Sequence, residues 1–265
     1  MSCFSVSLRS GSSGNSTFIR TESASLIVDL GLNGKRFAMA LEEFDEDPNQ
    51  IDAILLTHEH IDHVSGVGVV MRRHKIPLYT TLSTFNKAEA LLGKIDYDLV
   101  HLIVPGNPFT VRDTEILAFP TSHDAVDPVG FRISSKYGDV GVMTDTGEFD
   151  QYAREGLKGC KAVYLESNYD DDMLWNGDYP YPLKVRIDSR SGHLSNFEAG
   201  QVACYLLENG VEALALSHLS QENNLPELAL ETVSEALQEA GAKIDLDVRV
   251  RVSERYHCSV PFILE

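Results

Sequence analysis

Four apolar residues, Ala53-Ile54-Leu55-Leu56, run directly into Thr57-His58-Glu59-His60-Ile61-Asp62-His63. A short continuous apolar run reads as a β-strand buried on both faces. No other feature constrains the chain as much as the three histidines and one aspartate that leave this strand. Side chains alternate along extended backbone, so His58 and His60 project to the same side. Asp62 and His63 then enter the next helix and turn toward a neighbouring point. Imidazole nitrogen and carboxylate oxygen suit Zn²⁺ at about 2.0–2.2 Å, and also Mn²⁺ or Fe. A histidine-rich surface loop would lie in a polar tail rather than at the mouth of a buried strand, so a metal site is the expected reading.

The elements around this motif alternate in type. Phe4, Val6 and Leu8 alternate as a half-buried strand does, and Ser10-Gly11-Ser12-Ser13-Gly14-Asn15 interrupts them. Strands are expected at Thr17–Arg20 and Leu26–Asp29. Phe37, Leu41 and Phe44 stand at helical spacing, with Asn33 as N-cap and Pro48 beyond the end. A helix is expected from about Val64 to His74, with a strand after Pro77. Hairpins are expected around Arg112-Asp113 and around Lys136-Tyr137-Gly138-Asp139. Farther on, Ala162–Glu166 and Val211–Ser217 read as strands. Ser195-Asn196-Phe197-Glu198 makes a capping box before a helix that Gly210 stops. A second helix spans Leu225 to Ala240, and Asp245–Val252 is the last strand. Asp170-Asp171-Asp172 is expected to be a surface loop. Each half runs from strands into helix, which suits an α+β fold of two sheets face to face with helices outside. That is a four-layer αββα sandwich formed by one domain over residues 1–265.

Composition narrows the function. The 22 Lys and Arg against 40 Asp and Glu leave a formal charge of −18, which argues against a protein that coats DNA electrostatically but not against a local basic groove. No apolar run approaches the roughly 18 residues that would span a membrane, and the start of the chain lacks the basic segment of a signal peptide. Cys3, Cys160, Cys204 and Cys258 form no C-x-x-C pair, so they read as reduced, mostly buried thiols of a cytoplasmic protein.

The H-x-H-x-D-H motif, with later lone His, Asp and His residues, resembles the metallo-β-lactamase superfamily, whose members share the αββα sandwich. Position by position, the resemblance implies His123, Asp145 and His218 as further ligands. One divalent ion would take His58, His60, His123 and Asp145. The other would take Asp62, His63, Asp145 and His218. Two such ions, Zn, Mn or Fe, suit phosphodiester hydrolysis, since they share an activated water and neutralise phosphoryl charge. Dizinc β-lactamases carry Cys where Asp145 stands, so antibiotic hydrolysis is not expected.

Five segments are together similar to the YycJ-like (VicX-like) branch: the Ser10–Asn15 loop, Leu165-Glu166-Ser167-Asn168, Tyr179-Pro180 to Ile187, Gly192-His193-Leu194-Ser195-Asn196 and Leu216-Ser217-His218-Leu219-Ser220. The resemblance implies a nuclease acting from the 5′ end of single-stranded or end-exposed DNA. Tyr169 departs from it, because His is expected there. Asp62 would also orient the attacking water. His193, on a Gly-preceded turn, is the candidate proton donor to the leaving group, with Glu166 as its partner. Ser13, Asn15 and Asn168 are candidate substrate contacts, and Arg186 and Arg190 candidate contacts to a substrate strand. The alternatives are a phosphodiesterase for cyclic nucleotides or sugar phosphates, a di-iron redox protein, and a regulatory protein with a structural metal. Oligomeric state is left unassigned.

Overall fold

The structure is a computed structural model, and it describes residues 2–112 and 114–265. Asp113, the second residue of the expected Arg112-Asp113 turn, lies outside the described residues. The described residues form two seven-stranded sheets. In the first, β1 (Cys3–Arg9), β2 (Ser16–Arg20) and β3 (Ser25–Val28) are antiparallel neighbours. Then β4 (Ala53–Leu55), β5 (Leu78–Thr81) and β6 (Val100–Ile103) follow in parallel. Helices α1 (Gly34–Glu42), α2 (Ile61–Val64), α3 (Val67–His74) and α4 (Leu82–Leu92) make the crossovers.

The second sheet repeats the plan. Strands β7 (Phe109–Val111), β8 (Thr114–Pro120), β9 (Val129–Ile133) and β10 (Val140–Met143) are antiparallel neighbours. Strands β11 (Ala162–Glu166), β12 (Ala213–Ser217) and β13 (Arg249–Val252) continue from β10 in parallel. The connections carry α5 (Gln151–Leu157), α6 (Asp171–Asn176), α7 (Tyr181–Ile187), α8 (Asn196–Glu208) and α9 (Pro226–Glu239). β14 (Phe262–Leu264) returns to pair with β1.

Three apolar clusters hold the four layers. Ile19, Leu26, Val28, Leu55, Ile116, Phe131 and Val142 fill the space between the sheets. Phe37, Leu41, Val70 and Met71 pack the first helical layer on the outer face of its sheet. Leu157, Val202, Leu206, Val233 and Leu237 do the same for the second. Burying such side chains stabilises by about 1.5–3 kcal/mol each, which is why strands with apolar residues on both faces lie between helices. Cys3 and Cys160 belong to these cores, and burial pushes their thiols up to about 11 and about 12. Neither is expected to react with a disulfide reagent in the folded protein at pH 8, whereas unfolding exposes all four thiols. Rapid native labelling of either, read by mass spectrometry, would contradict this packing.

The sandwich and its expected strands are present, except that the strand expected over Asp245–Val252 begins only at Arg249, after a turn at 245–247, and is followed by β14; three further local details differ. The helix expected from Val64 to His74 breaks at Ser65-Gly66. Gly66 lies so close to the segment after β3 that a Cβ there would fall 1.8 Å from the Leu32 carbonyl oxygen. The backbone at this point packs on a neighbouring strand end, and a straight helix would not. Asp170 is no loop residue in solvent; its carboxylate caps α6 by accepting from the Met173 N–H at 2.9 Å. Lys184, two residues before Arg186, is buried, and its ammonium donates to the carbonyls of Trp175 (2.8 Å) and Gly177 (2.7 Å) at the end of α6.

Candidate metal centre

The carboxyl ends of the central strands converge at one edge of the sandwich, the usual place for ligands in parallel sheets. Asp29 follows β3, His58 and His60 follow β4, and His123 follows β8. Asp145 follows β10, Glu166 ends β11, and His218 follows β12. Three of these residues have left-handed backbone: Asp29 (φ 58°), Asp145 (φ 56°) and His218 (φ 57°). Non-glycine residues seldom adopt it, and surrounding structure must hold them there. Here each turns sharply off a strand end and aims its side chain inward.

The predicted ligands meet. His58, His60 and His123 bring ligand atoms within 4.8 Å of one another, as do His58, His63 and Asp145, and Asp62, His63 and His218. Asp145 lies centrally: its carboxylate is 3.1 Å from His63 Nε2, 3.5 Å from His218 Nδ1 and 3.7 Å from His123 Nε2. Three buried atoms in this group make no hydrogen bond: His58 Nε2, Asp145 Oδ2 and His218 Nε2. A buried polar atom without a partner is costly. Three of them converging from separate strands is what a divalent cation site requires, so the residues present fit the metal that the motif implies.

The other ring nitrogens are already engaged, which fixes the tautomers. Asp29 Oδ2 lies 2.8 Å from His63 Nδ1, and the Asp29 carboxylate also accepts from the Thr57 N–H (2.8 Å) and hydroxyl (2.8 Å). Thr57 Oγ1 is 2.9 Å from His58 Nδ1. The Gly192 carbonyl is 3.0 Å from His123 Nδ1, and Glu166 Oε1 is 2.9 Å from His218 Nδ1. Each contact leaves Nε2 available to a metal, the usual arrangement around metal-binding histidines.

Glu166 serves two imidazoles. The same Oε1 accepts from His193 Nδ1 at 2.8 Å, while Oε2 accepts from the Thr146 N–H at 2.8 Å. With both oxygens hydrogen-bonded, Glu166 orients its neighbours, and it lies with His193 within ligand reach of Asp145 and His218. The His193 side chain remains 19% exposed, and its ring centroid is 5.0 Å from that of His123 and 5.3 Å from that of His218. It is therefore at the cluster and accessible from outside.

The electrostatics of these side chains follow from the geometry. Burial opposes charge on His63 and His218, but carboxylates outweigh it. Asp145, Asp29 and Asp62 hold His63 well above the usual imidazole range. Asp145, Asp62 and Glu166 raise His218 to about 10. Burial, reinforced by His63, keeps His58 neutral. Burial disfavours the charge of Asp145 too, yet His218 and His63 hold its carboxyl well below the usual range. Without metal, protons on His63 and His218 thus balance the carboxylates. A raised histidine pKa stabilises fully below the unfolded value of about 6.5, and that stability is lost as pH climbs through the folded value. In chelator, the melting temperature is therefore expected to fall between pH 6.5 and about 10. Bound metal displaces those protons, so its added stabilisation grows with pH over the same window. A chelated protein whose melting temperature rises across that window would contradict the assignment.

Not every predicted contact reaches the cluster. Asn15 is buried, and its amide lies 3.1 Å from Asp62 Oδ2 and 2.9 Å from His63 Nε2. Asn168 donates to the His218 carbonyl at 2.7 Å. Both hold ligand segments in place. Ser13 faces away into a separate cavity, Arg186 is ion-paired with Asp124, and Arg190 is 87% exposed beside Glu148. Tyr169 is buried and donates to Asp188 at 2.6 Å, bracing the end of α7. Three further site residues emerge only from the fold. Asp29 and Thr57 carry a faint signal in the sequence, as a charge closing an apolar strand and a hydroxyl opening the histidine motif. Asp124, 3.3 Å from His123 Nε2, carries only its adjacency to that histidine.

Comparison with known proteins agrees with this geometry. The family described as Beta-lactamase superfamily domain matches residues 26–219, and the chain belongs to the metallo-β-lactamase superfamily. Within it, the chain falls in the YycJ-like branch. It is 37% identical over 238 residues to exodeoxyribonuclease YycJ of Bacillus anthracis, covering 90% of each chain. It is 38% identical over 245 residues to exodeoxyribonuclease WalJ of Streptococcus pneumoniae, covering 92% of this chain and 91% of that one. The fold is similar to that of the metallo-β-lactamase fold protein YhfI of Bacillus subtilis, with a TM-score of 0.75, 16% identity and 99% and 100% of the two chains aligned.

Proposed function

We propose that the protein is a dinuclear metal-dependent phosphodiesterase that shortens single-stranded or end-exposed DNA from its 5′ end. The observation that carries this reading is similarity to two exodeoxyribonucleases over nine-tenths of the chain. The histidine and carboxylate cluster supports it. His58, His60, His123 and Asp145 would hold one divalent ion, and Asp62, His63, Asp145 and His218 the other. Zn, Mn and Fe all suit these donors. When bound, the ions supply positive charge to the phosphodiester oxygens and lower the pKa of water at the site to about 7.

The chain's own residues do the rest. Asp62 anchors the second site and presents a carboxylate oxygen toward the attacking water. Glu166 holds His193 by Nδ1, which keeps Nε2 free to carry a proton. As the bond from phosphorus to the 3′-oxygen breaks, protonated His193 gives its Nε2 proton to that oxygen, so the leaving group departs as an alcohol. Asn15 and Asn168 keep the two ligand segments in register. The four free cysteines support a reducing compartment such as the cytoplasm.

The test compares linear single-stranded DNA, labelled at its 5′ end, with a closed circle of the same sequence. Metal-loaded protein is expected to release labelled mononucleotide from the linear strand and leave the circle intact. Cutting of the circle would overturn the exonuclease reading. Faster turnover of a cyclic nucleotide than of either DNA would replace it with the small-substrate alternative.

A further inference from the structure

One cavity outside the metal cluster has a composition unlike the rest of this acidic chain. It measures about 480 Å³ and is lined by Arg9, Lys35, Arg36 and Arg255, with Ser13 and the ring of Tyr256, and no carboxylate lines it. Among the described residues, none of the four cations is in an ion pair, and they converge on one hollow that no carboxylate enters. A chain with 40 acidic residues against 22 basic ones has ample acid to neutralise them. Cations left uncompensated around one hollow attract a polyanion.

The cavity shares a wall with the metal site. On one side of the Ser10–Asn15 loop, Ser10 accepts from the His218 N–H at 2.7 Å and Asn15 contacts Asp62 and His63. On the other side, Ser13 opens into the cavity. Arg255 ties the two together. Its guanidinium donates to the Leu219 carbonyl, one residue past His218, and lies over Gly11. A Cβ at Gly11 would fall 2.7 Å from that guanidinium, so the two are in close contact. Tyr256, 59% exposed, offers a flat face beside the cations. Cations along a groove with an aromatic platform are how single strands are bound without reading sequence.

We infer that this cleft is the track for the uncut part of the substrate strand, its four cations holding backbone phosphates and Tyr256 stacking on a base. The inference rests on the reading of strand DNA as substrate. It assigns strand binding to this side of the metal cluster and not to the side of Arg186, whose charge Asp124 already balances.

Two measurements on metal-loaded protein test it. The first is binding of a phosphorothioate thymidine strand of about 20 nucleotides, which resists hydrolysis. The second is turnover of a dinucleotide too short to span the cleft. The double variant Lys35→Ser, Arg36→Ser is expected to bind the strand about tenfold more weakly, with the salt slope reduced by about 0.7 for each cation removed. Tyr256→Ala is expected to weaken binding comparably without changing that slope. Dinucleotide turnover should match wild type in both. Strand affinity and salt slope equal to wild type in both variants would overturn the inference. A wild type that binds the strand through these cations but cuts neither substrate would uphold the cleft and overturn the proposed activity instead.

Discussion

Asp145→Asn is expected to lower turnover on the order of 10³-fold and to strip bound metal, while the fold persists. Among the described residues, its carboxylate is the single acidic group reaching His63, His123 and His218 together, and one of its oxygens has no hydrogen-bond partner. Asparagine keeps the shape and the left-handed turn, which it tolerates better than most residues. It removes the charge that both proposed ions share. A loss of several kcal/mol of charge stabilisation corresponds to three or more decades in rate. Metal content by mass spectrometry, a melting curve and hydrolysis of labelled DNA read the three consequences separately. Full metal loading with turnover within about threefold of wild type would show that Asp145 does not bridge.

Glu166→Gln should cost about 10²–10³-fold in kcat, close to the cost of His193→Ala. One oxygen of Glu166 accepts from both His193 and His218, and the other accepts from the Thr146 N–H. Glutamine has one acceptor oxygen and one donor nitrogen. However the amide is turned, it sets a donor against a donor, either at Thr146 or at the two imidazoles. His193 then loses its fixed tautomer. Because the two residues act as a unit, the double variant should fall no more than about tenfold below the worse single variant. Multiplicative losses would mean that His193 works without Glu166. Metal affinity in Glu166→Gln should fall less than in Asp145→Asn, because Glu166 positions the ligand His218 whereas Asp145 supplies the shared charge, and this separates the two defects.

The parts of the site most legible in the sequence are those where chemistry and periodicity coincide. Ala53–Leu56 running into His58, His60, Asp62 and His63 predicts both a strand and its ligands, because a short apolar run without polar alternation needs cover on both faces. Ser195 and Glu198 form both halves of the capping box, as their spacing implies. The helix Leu82–Leu92 is hard to see in the pattern, although Thr81 caps it by accepting from the Thr84 N–H. Its apolar face is short, and Leu82 and Leu91 stay exposed, which blurs the period. The break at Gly66 is hidden for a different reason. It depends on how close the segment after β3 lies, which is a tertiary fact. The basic cleft is equally invisible, since Arg9, Lys35, Arg36 and Arg255 converge only through the fold. By contrast, Arg186 and Arg190 stand out because they are close in sequence, yet Asp124 neutralises the first and solvent surrounds the second.

The central claim is that two divalent ions occupy this cluster and share Asp145. Crystals grown with Mn²⁺, measured at a wavelength where manganese scatters anomalously, test it most directly. Two anomalous peaks are predicted, one among His58, His60, His123 and Asp145, the other among Asp62, His63, Asp145 and His218. A lone peak, or peaks that leave Asp145 uncoordinated, would contradict the account.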